Sequence, residues 1–409
     1  MALTITNISS CKDDDIYRVN VDINIANETH QLWFKSKTPL TDNIDGFVCA
    51  SLFAAMKSSV DINIGDAISE KLSGNIPKIQ DIFHNWYPEF QPVNVNKTEN
   101  KTARNTNHGI GCFFTGGVDS FYSVLKNKDR ISHLIFVYGL DIPLDNIQLR
   151  NTVSESLNNI SEELEIPLIE IETNLREFTN KFGDWGEHFH GAGLVCIANL
   201  LTSVLDTIII PSSFSYRQLF PWGTHPLIDP LWSTELIDVF HDGCKVERIK
   251  KVEFISHNKT ALKSLRVCYV NLDSAYNCCQ CEKCLRTMAS LRAVGALKNC
   301  SSFDRELNLD SLSKISLNSI PSKYFLDENI EYVTRKGTDK DLLSSLNKCL
   351  IDNNTKSSLR NVLNNIDVYS RSKDWPAQRN ALLRKLWDTD KAWMLKENMK
   401  EILKSIFKK

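Results

Sequence analysis

The stretch Gly111–Leu125, which reads GCFFTGGVDSFYSVL, is the basis for interpreting the whole chain. Its apolar run Cys112–Phe114 is typical of a buried strand, and the apolar residues after position 120 have helical spacing. Between them lies Thr115–Ser120, a tight turn of small residues. Free backbone N–H groups and the helix dipole make such a strand–turn–helix junction an anion site. We therefore predict that this turn binds an anionic ligand.

The turn supplies several groups suited to phosphate. Gly116 and Gly117 let the backbone approach phosphate oxygens, and the hydroxyls of Thr115 and Ser120 add donors. Asp119 would repel a bare phosphate, which implies a cation or a ribose hydroxyl nearby. The GxxxxGK[ST] pattern of the Walker loop does not occur here. A plain turn between a strand and a helix is the alternative interpretation.

Composition limits the class of protein. The chain has 409 residues, enough for two or three domains, and its formal net charge is −2. This balance argues against nucleic acid as a partner, because no global basic field attracts a polyanion. The sequence shows no long apolar run and no signal-peptide pattern, so we expect a cytoplasmic protein without a membrane partner.

The order of predicted elements indicates an α/β fold. We predict an α+β module over residues 1–95, a polar linker over 96–108, a core over 109–300 and a helical module over 301–409. Strands and helices alternate in the core, which favours a parallel sheet with helices on both faces and a ligand site at the carboxyl ends of its strands. The predicted core strands are Ile110–Phe114, Ser132–Tyr138, Pro167–Ile171 and Thr207–Ile210. Beyond Ala381 the sequence predicts a basic amphipathic helix that packs on its own protein, with a membrane or an acidic partner as the alternative.

Five cysteines cluster near residue 280. Cys278, Cys281 and Cys284 have C-x-x-C-x-x-C spacing, and Cys268 completes a set of four thiolates. Four thiolates saturate a tetrahedral Zn²⁺ ion and are typical of a structural site. We treat Cys279 as a bystander, because adjacent cysteines rarely bind one tetrahedral ion. An iron–sulfur cluster and free buried cysteines are the alternatives.

These motifs together resemble a known family. TGGVDS is similar to the SGGxDS loop of the PP-loop ATP pyrophosphatases. With the four cysteines, and with the lysine-led segment Lys251–Ile255, the chain resembles the 7-cyano-7-deazaguanine synthases. The resemblance covers residues 109–295 and implies a PP-loop (adenine nucleotide α-hydrolase-like) fold with a zinc loop. Phe121 departs from the family, which has a small hydroxyl residue there.

The resemblance implies an ATP-dependent ligase that uses Mg²⁺ and contains Zn²⁺. Such an enzyme adenylates the carboxylate of 7-carboxy-7-deazaguanine, releases pyrophosphate and lets ammonia displace AMP. Carried over by position, Asp119 lies near Mg²⁺, while Lys251 and Arg266 neutralise charge as AMP is transferred; an exposed salt-bridged role is the alternative for both. The residues predicted to bind ATP are Thr115, Gly116, Gly117, Val118, Asp119 and Ser120. The predicted zinc ligands are Cys268, Cys278, Cys281 and Cys284.

The segment Ser212–Trp232 occupies the position where the family binds its deazapurine, although its sequence differs. Its predicted substrate-binding residues are Ser213, Tyr216, Arg217 and Asp229. A structural loop rich in Pro and Trp is the alternative. His188 and His190 lack a third clear ligand, so we interpret them as a wall of the site or as packing.

The terminal modules extend beyond a minimal synthase. Extended relatives of the family occur in antiphage operons, where they couple a deazapurine to another macromolecule. This resemblance implies a small deazapurine substrate and an acceptor amine, which can belong to a protein partner, and it leaves a homodimer open. A PP-loop tRNA-thiolating enzyme and a catalytically silent binding module are the alternative functions.

Overall fold

The structure is a computed structural model that describes residues 2–102, 109–317 and 319–369. Its chain divides into two compact units, Met1–Leu346 and Asn347–Lys409. The predicted amphipathic helix beyond Ala381 lies outside the described residues. In the part that is described, no helix is both long enough and apolar enough to cross a bilayer.

The secondary structure alternates strands and helices along most of the first unit. The strands are β1 (Leu3–Asp13), β2 (Ile16–Ile25), β3 (Glu28–Ser36), β4 (Ile62–Ile64), β5 (Ile68–Ser69), β6 (Val95–Asn96), β7 (Asn100–Lys101), β8 (Ile110–Phe113), β9 (His133–Tyr138), β10 (Leu168–Thr173), β11 (Thr207–Pro211) and β12 (Asp238–Asp242). The helices are α1 (Ile44–Ser58), α2 (Glu70–Trp86), α3 (Val118–Lys126), α4 (Ile147–Leu164), α5 (Leu175–Thr179), α6 (His190–Leu200), α7 (Arg248–Ile255), α8 (Lys259–Ser264), α9 (Glu282–Ala293), α10 (Leu309–Ser313), α11 (Ile320–Lys336) and α12 (Lys340–Tyr369).

Ten of these strands form one mixed sheet. Their order is β12-β11-β8-β9-β10-β3-β2-β1-β4-β6. The five strands from β12 to β10 are parallel, whereas β3, β2 and β1 continue the sheet in antiparallel fashion. The structure therefore confirms an α/β protein with a mostly parallel sheet.

Burial explains which residues form the sheet. β9 lies between β8 and β10 in the parallel part, and its residues Leu134–Tyr138 are all buried, as expected for a strand covered on both faces. In β2 the buried residues Val19, Val21, Ile23 and Ile25 alternate with less buried polar ones, as the pattern predicts. β1 and β12 were not predicted, because each carries mostly polar residues and only part of each strand is buried.

The N-terminal strands are continuous with the core sheet. β3 pairs with β10 through Ile171 and Ser36, and α1 lies so close to α6 that a Cβ on Gly46 would be 2.8 Å from the carbonyl oxygen of Cys196. The domain boundaries at residues 95 and 300 stay predictions. Within the predicted linker, β6 and β7 pair with β4 and β5, and residues 103–108 lie outside the described part.

The strand order creates a crevice at one edge of the sheet. β8 and β11 are neighbours. The chain leaves β8 through α3 towards β9 and leaves β11 in the opposite direction, towards β12. At such a reversal the two connections separate and open a cleft beyond the carboxyl ends of the strands. The turn Thr115–Ser120 follows β8 directly, so it lies in this cleft.

Two glycines provide a matched test of helix stability. Gly74 lies inside α2, where a Cβ would meet no atom within 4 Å. Gly337 ends α11 in the left-handed region, at φ 67°. We expect Gly74→Ala to raise the free energy of unfolding by up to about 1 kcal/mol, and Gly337→Ala to lower it by about 1 kcal/mol. Denaturant unfolding of both variants measures this, and shifts of the same sign would contradict it.

Candidate functional site

A cavity occupies the cleft at the carboxyl ends of β8, β9 and β11. The turn Thr115–Ser120 forms one wall, and residues 266–269 with Lys283 form another. Apolar residues at the ends of the three strands form its floor. The polar and charged residues of the lining include Thr115, Asp119, Ser120, Asp141, His190, Ser213, Arg248, Arg266 and Lys283.

The glycine turn presents the start of α3 to this cavity. Gly116 has φ 73°, in the left-handed region that favours glycine, and its carbonyl oxygen accepts a hydrogen bond of 2.8 Å from the backbone N–H of Arg266. Gly117 is the N-cap of α3, and no side chain caps the helix. Among the described residues, no side chain therefore caps the N–H groups at Val118–Ser120, which leaves a local anion site.

Asp119 is the centre of a buried ion cluster. One carboxylate oxygen accepts a hydrogen bond from Nη1 of Arg248, and the other lies 3.3 Å from Nζ of Lys251. The two cations are one helical turn apart on α7, so both reach the same carboxylate. Burial by itself raises the pKa of Asp119, but Arg248 and Lys251 outweigh it and the pKa is lowered. Nζ of Lys251 also donates to the carbonyl oxygen of Ser212 at 2.5 Å.

Two further cations face the cavity without a full set of partners. Arg266 is 4% exposed and donates from Nη2 to Asn271 at 2.8 Å, while its Nε is buried and has no hydrogen-bond partner in the described part of the chain. Burial lowers the pKa of Arg266 and that of Lys283, and the nearby Arg248 lowers the pKa of Lys283 further. Because burial disfavours these charges, an anion in the cavity would be stabilised by both of them.

Next to this wall lies a compact cluster of four thiols. The sulfur atoms of Cys268, Cys278, Cys281 and Cys284 all lie within 4.8 Å of one another. The Cys268–Cys281 and Cys278–Cys284 sulfur atoms are 4.0 and 3.9 Å apart. Four sulfurs at about 2.3 Å from a tetrahedral zinc ion would lie roughly 3.8 Å apart, so the cluster is compatible with a zinc site.

The surroundings of the cluster hold it in place. Asn277 accepts hydrogen bonds from the backbone N–H groups of Val267 and Cys268, and it donates to the carbonyl oxygens of Leu265 and Ser302. Cys279 turns away from the other four thiols, and its sulfur lies 3.4 Å from a carboxylate oxygen of Asp304. Cys279 is thus outside the cluster, as the sequence predicts.

The structure places the predicted site residues unequally around the cavity. Ser213 lines it, as do Asp119 and Arg266, and Lys251 lies directly behind Asp119. Lys251 and Arg266 are both buried, so neither is exposed, and Lys251 forms an ion pair with Asp119. Their catalytic roles stay predictions.

The remaining predicted substrate residues lie apart from the cavity lining. Tyr216 is exposed, and Arg217 is an exposed residue that pairs with Glu247. Asp229 is fully buried and contacts His241. Their assignment to a substrate stays a prediction.

Sequence reasoning missed Arg248 and Lys283. Arg248 lies three residues before Lys251, a helical spacing that lets both side chains reach the same partner. Lys283 lies inside the Cys-Glu-Lys-Cys motif, so the cysteine loop itself brings it to the cavity.

The two histidines predicted to form a wall of the site have different surroundings. His190 lines the cavity, whereas His188 accepts a hydrogen bond of 2.9 Å from the backbone N–H of Asp184.

Comparison of the chain with known protein-family models, with curated proteins and with solved structures finds no match. We therefore infer function from the geometry and chemistry of the site.

The ion cluster predicts a large and pH-dependent effect of Asp119→Asn. This change leaves two buried cations without their anion, and we expect a loss of about 3 kcal/mol in the free energy of unfolding at pH 7. Because the pKa of Asp119 is lowered in the folded chain, this contribution is complete above the ordinary pKa of about 4 and is lost as the pH falls through the lowered value.

Denaturant unfolding of wild type and variant between pH 3 and pH 7 measures this difference. Glu163→Gln is the matched control, because it breaks an exposed ion pair with Lys263 that contributes at most about 1 kcal/mol. Equal losses in the two variants would contradict the buried cluster.

The geometry of the thiol cluster predicts which cysteines are required for metal binding. We expect Cys278→Ser to lose bound metal, because it removes one of four ligands, and Cys279→Ser to keep it. Metal content per chain after gel filtration, measured by mass spectrometry, distinguishes them. Loss of metal from both variants, or from neither, would be inconsistent with the four-cysteine set.

Proposed function

We propose that the chain is an ATP-dependent, AMP-forming ligase of the PP-loop type that adenylates a carboxylate and passes the acyl group to ammonia or an amine. The observation that carries this proposal is the uncapped start of α3, which faces Arg248, Arg266 and Lys283 across one cavity. The site therefore offers backbone donors and cations together, the combination that a polyphosphate requires.

In this proposal the turn Thr115–Ser120 holds the pyrophosphate part of ATP. Backbone N–H groups at the start of α3 and the hydroxyl of Thr115 donate to its oxygens. Arg266 and Lys283 neutralise the charge that develops as the substrate carboxylate attacks the α-phosphorus. Catalysis of this kind depends on positioning and on preorganised charge, because the chain supplies no covalent chemistry in the adenylation step.

The second substrate is a planar heterocycle with a carboxylate, and 7-carboxy-7-deazaguanine is our candidate. Trp185 and His190 lie in the cavity lining and offer flat surfaces for a ring, and Asp141 offers an acceptor for ring N–H groups. The cationic groups of Arg266 and Lys283 suit the substrate carboxylate before it is activated. The acceptor amine, on a small molecule or on a protein, completes the proposed reaction.

Magnesium fits Asp119 poorly. Both of its carboxylate oxygens already contact cations, Arg248 and Lys251, and a further divalent ion there would be repelled by them. We derive no step through a metal at Asp119. A magnesium ion that arrives with ATP can be held by the phosphates and its own waters.

Zinc suits the four-cysteine cluster in a structural role. Four thiolates leave no open position for a substrate, so the ion would hold the loop and not react. The loop in turn carries Arg266, two residues before Cys268, and Lys283, next to Cys284, into the cavity wall. Loss of the ion would therefore weaken anion binding as well as the fold.

The direct test of the proposed function is turnover. The purified chain, incubated with ATP, MgCl₂, 7-carboxy-7-deazaguanine and ammonium, is expected to release AMP and pyrophosphate in equal amounts, measured by chromatography of the nucleotides and a coupled pyrophosphate assay. No release with this substrate, together with turnover of tRNA and a sulfur donor, would contradict the ligase and favour the thiolating alternative.

Gly116→Ala and Gly74→Ala form the matched pair for this assay. At Gly116 a Cβ is strained by the positive φ and would lie 3.6 Å from the Cβ of Arg266, whereas Gly74 is far from the cavity on α2. We expect Gly116→Ala to lower pyrophosphate release at least about tenfold, which corresponds to roughly 1.4 kcal/mol, and Gly74→Ala to leave it unchanged. Equal activity of the two variants would mean that the phosphate site lies elsewhere.

A further inference from the structure

A second group of reactive side chains lies one strand away from the cavity, at the carboxyl end of β12. It consists of Asp229, His241 and Cys244, which come from three different positions: a short 3₁₀ segment, the strand itself and the turn that follows it. None of them binds the phosphate or the metal in the function proposed above. All three are buried, with 3% of the His241 side chain and 2% of Cys244 exposed.

Asp229 fixes the orientation of the imidazole. One carboxylate oxygen lies 2.6 Å from Nδ1 of His241, and the other accepts a hydrogen bond of 3.1 Å from the backbone N–H of His225. The carboxylate is fully buried, so water does not compete for it. With Nδ1 engaged, Nε2 is the ring atom left to act on a neighbour.

That neighbour is the thiol of Cys244. Nε2 of His241 is buried and has no hydrogen-bond partner among the described residues. Cys244 lies three residues further along the chain, close enough for the imidazole and the thiol each to shift the pKa of the other. The sulfur of Cys244 also lies 3.2 Å from the hydroxyl of Ser212. A carboxylate, an imidazole and a thiol in this order are the arrangement that activates a cysteine nucleophile.

The charges around the group favour a thiolate beside an imidazolium. Burial by itself would lower the pKa of His241, but the hydrogen bond to Asp229 outweighs it and raises the pKa to about 9. Burial would raise the pKa of Cys244, but His241 and Lys251 outweigh it and the pKa is lowered. The buried thiol of Cys112, which lacks such neighbours, has its pKa raised by burial.

The group lies close to the cavity through the segment that follows β11. Ser212, which contacts the thiol, precedes Ser213, which lines the cavity. Lys251 donates to the carbonyl oxygen of the same Ser212 and to Asp119. The sulfur therefore contacts a residue that is adjacent in the chain to the cavity lining.

We propose that Cys244, His241 and Asp229 form a nucleophilic thiol site that receives an activated acyl group from the neighbouring cavity and transfers it to an amine. This inference rests on the proposed function for the identity of the acyl group. Cys244 is the nucleophile in it, and His241 and Asp229 are positioning residues that keep the sulfur ionised.

The proposed transfer has two balanced steps. The sulfur of Cys244 attacks the carbonyl carbon of the acyl adenylate, a C–S bond forms, and the C–O bond breaks with its electron pair leaving on AMP. An amine nitrogen then attacks the thioester, a C–N bond forms, and the electron pair of the C–S bond returns to sulfur. The amine proton passes to solvent, and the imidazolium of His241 stabilises the thiolate before and after the transfer.

The first experiment tests the thiol without any substrate. Iodoacetamide labelling of the full chain at pH 6 and pH 8, with each cysteine quantified by peptide mass spectrometry, gives the rate at Cys244. The rate of an ordinary thiol such as glutathione rises about a hundredfold over this range, because the thiolate fraction rises tenfold per pH unit. We expect the rate at Cys244 to rise less steeply than that of glutathione, because the lowered pKa of Cys244 leaves a larger thiolate fraction at the lower pH.

The titratable groups that face the imidazole of His241 are Asp229 and His225. Those that face the sulfur of Cys244 are His241 and Lys251. His241→Gln removes the imidazole but keeps Lys251, and we expect it to restore the steep pH dependence. A steep profile in the wild type, or no labelling of Cys244 at either pH, would overturn the proposal even if no variant folds.

The second experiment tests acyl transfer. Wild type with ATP and 7-carboxy-7-deazaguanine, but without an amine, is expected to gain the mass of the acyl group at Cys244, in a form that hydroxylamine removes. Cys244→Ala should keep the first turnover of pyrophosphate release, but its rate of amide formation should fall at least about a hundredfold. Amide formation by this variant at the wild-type rate would overturn the proposal that Cys244 carries the acyl group. If the wild type releases no pyrophosphate, the proposed function fails, and the labelling profile alone then decides the thiol site.

Discussion

The contact on which the site depends is the one between Asp119 and the two cations of α7. It ties the first turn of α3 to Arg248 and Lys251, and Lys251 continues the connection to the end of β11 through the carbonyl oxygen of Ser212. All three elements contribute residues to the lining of the cleft at the reversal of the sheet. Burying the charges is costly, and their close pairing offsets the cost. The carboxylate thus holds the two cations in place, and the position near Mg²⁺ that the family resemblance implies for Asp119 stays a prediction.

The opposite wall depends on the cysteine loop. The backbone of Arg266 is held by Gly116, and the backbone of Cys268 by Asn277. The glycine turn and the cysteine cluster, about 150 residues apart in the chain, therefore meet through one hydrogen bond. This proximity explains why two motifs without a shared ligand can belong to one site, since each fixes a different side of the same cavity.

Apolar patterns were sufficient to predict β8, β9, β10 and β11, and the cysteine spacing was sufficient to predict the four-cysteine cluster. The apolar patterns failed for β1 and β12, whose residues are mostly polar and show little apolar alternation, although each pairs with the strand next to it in the chain. The same limit applies to the site. Lys283 and Arg248 carry no motif of their own, and only the fold brings them opposite the glycine turn. Asp229, predicted to bind substrate from its place in the segment 212–232, contacts His241, and its assignment to a substrate stays a prediction.

The continuity between β3 and β10 has a consequence for biosynthesis. Ser36 and Ile171 are paired in the sheet, so more than a hundred residues must leave the ribosome before β3 acquires its partner. β1, β2 and β3 are joined by short turns and can assemble early as an antiparallel meander. Until β10 arrives, β3 is an open edge strand that can pair with another nascent chain. The charges of Lys35, in β3, and of Lys37, just after it, oppose such pairing and so disfavour aggregation of the nascent chain.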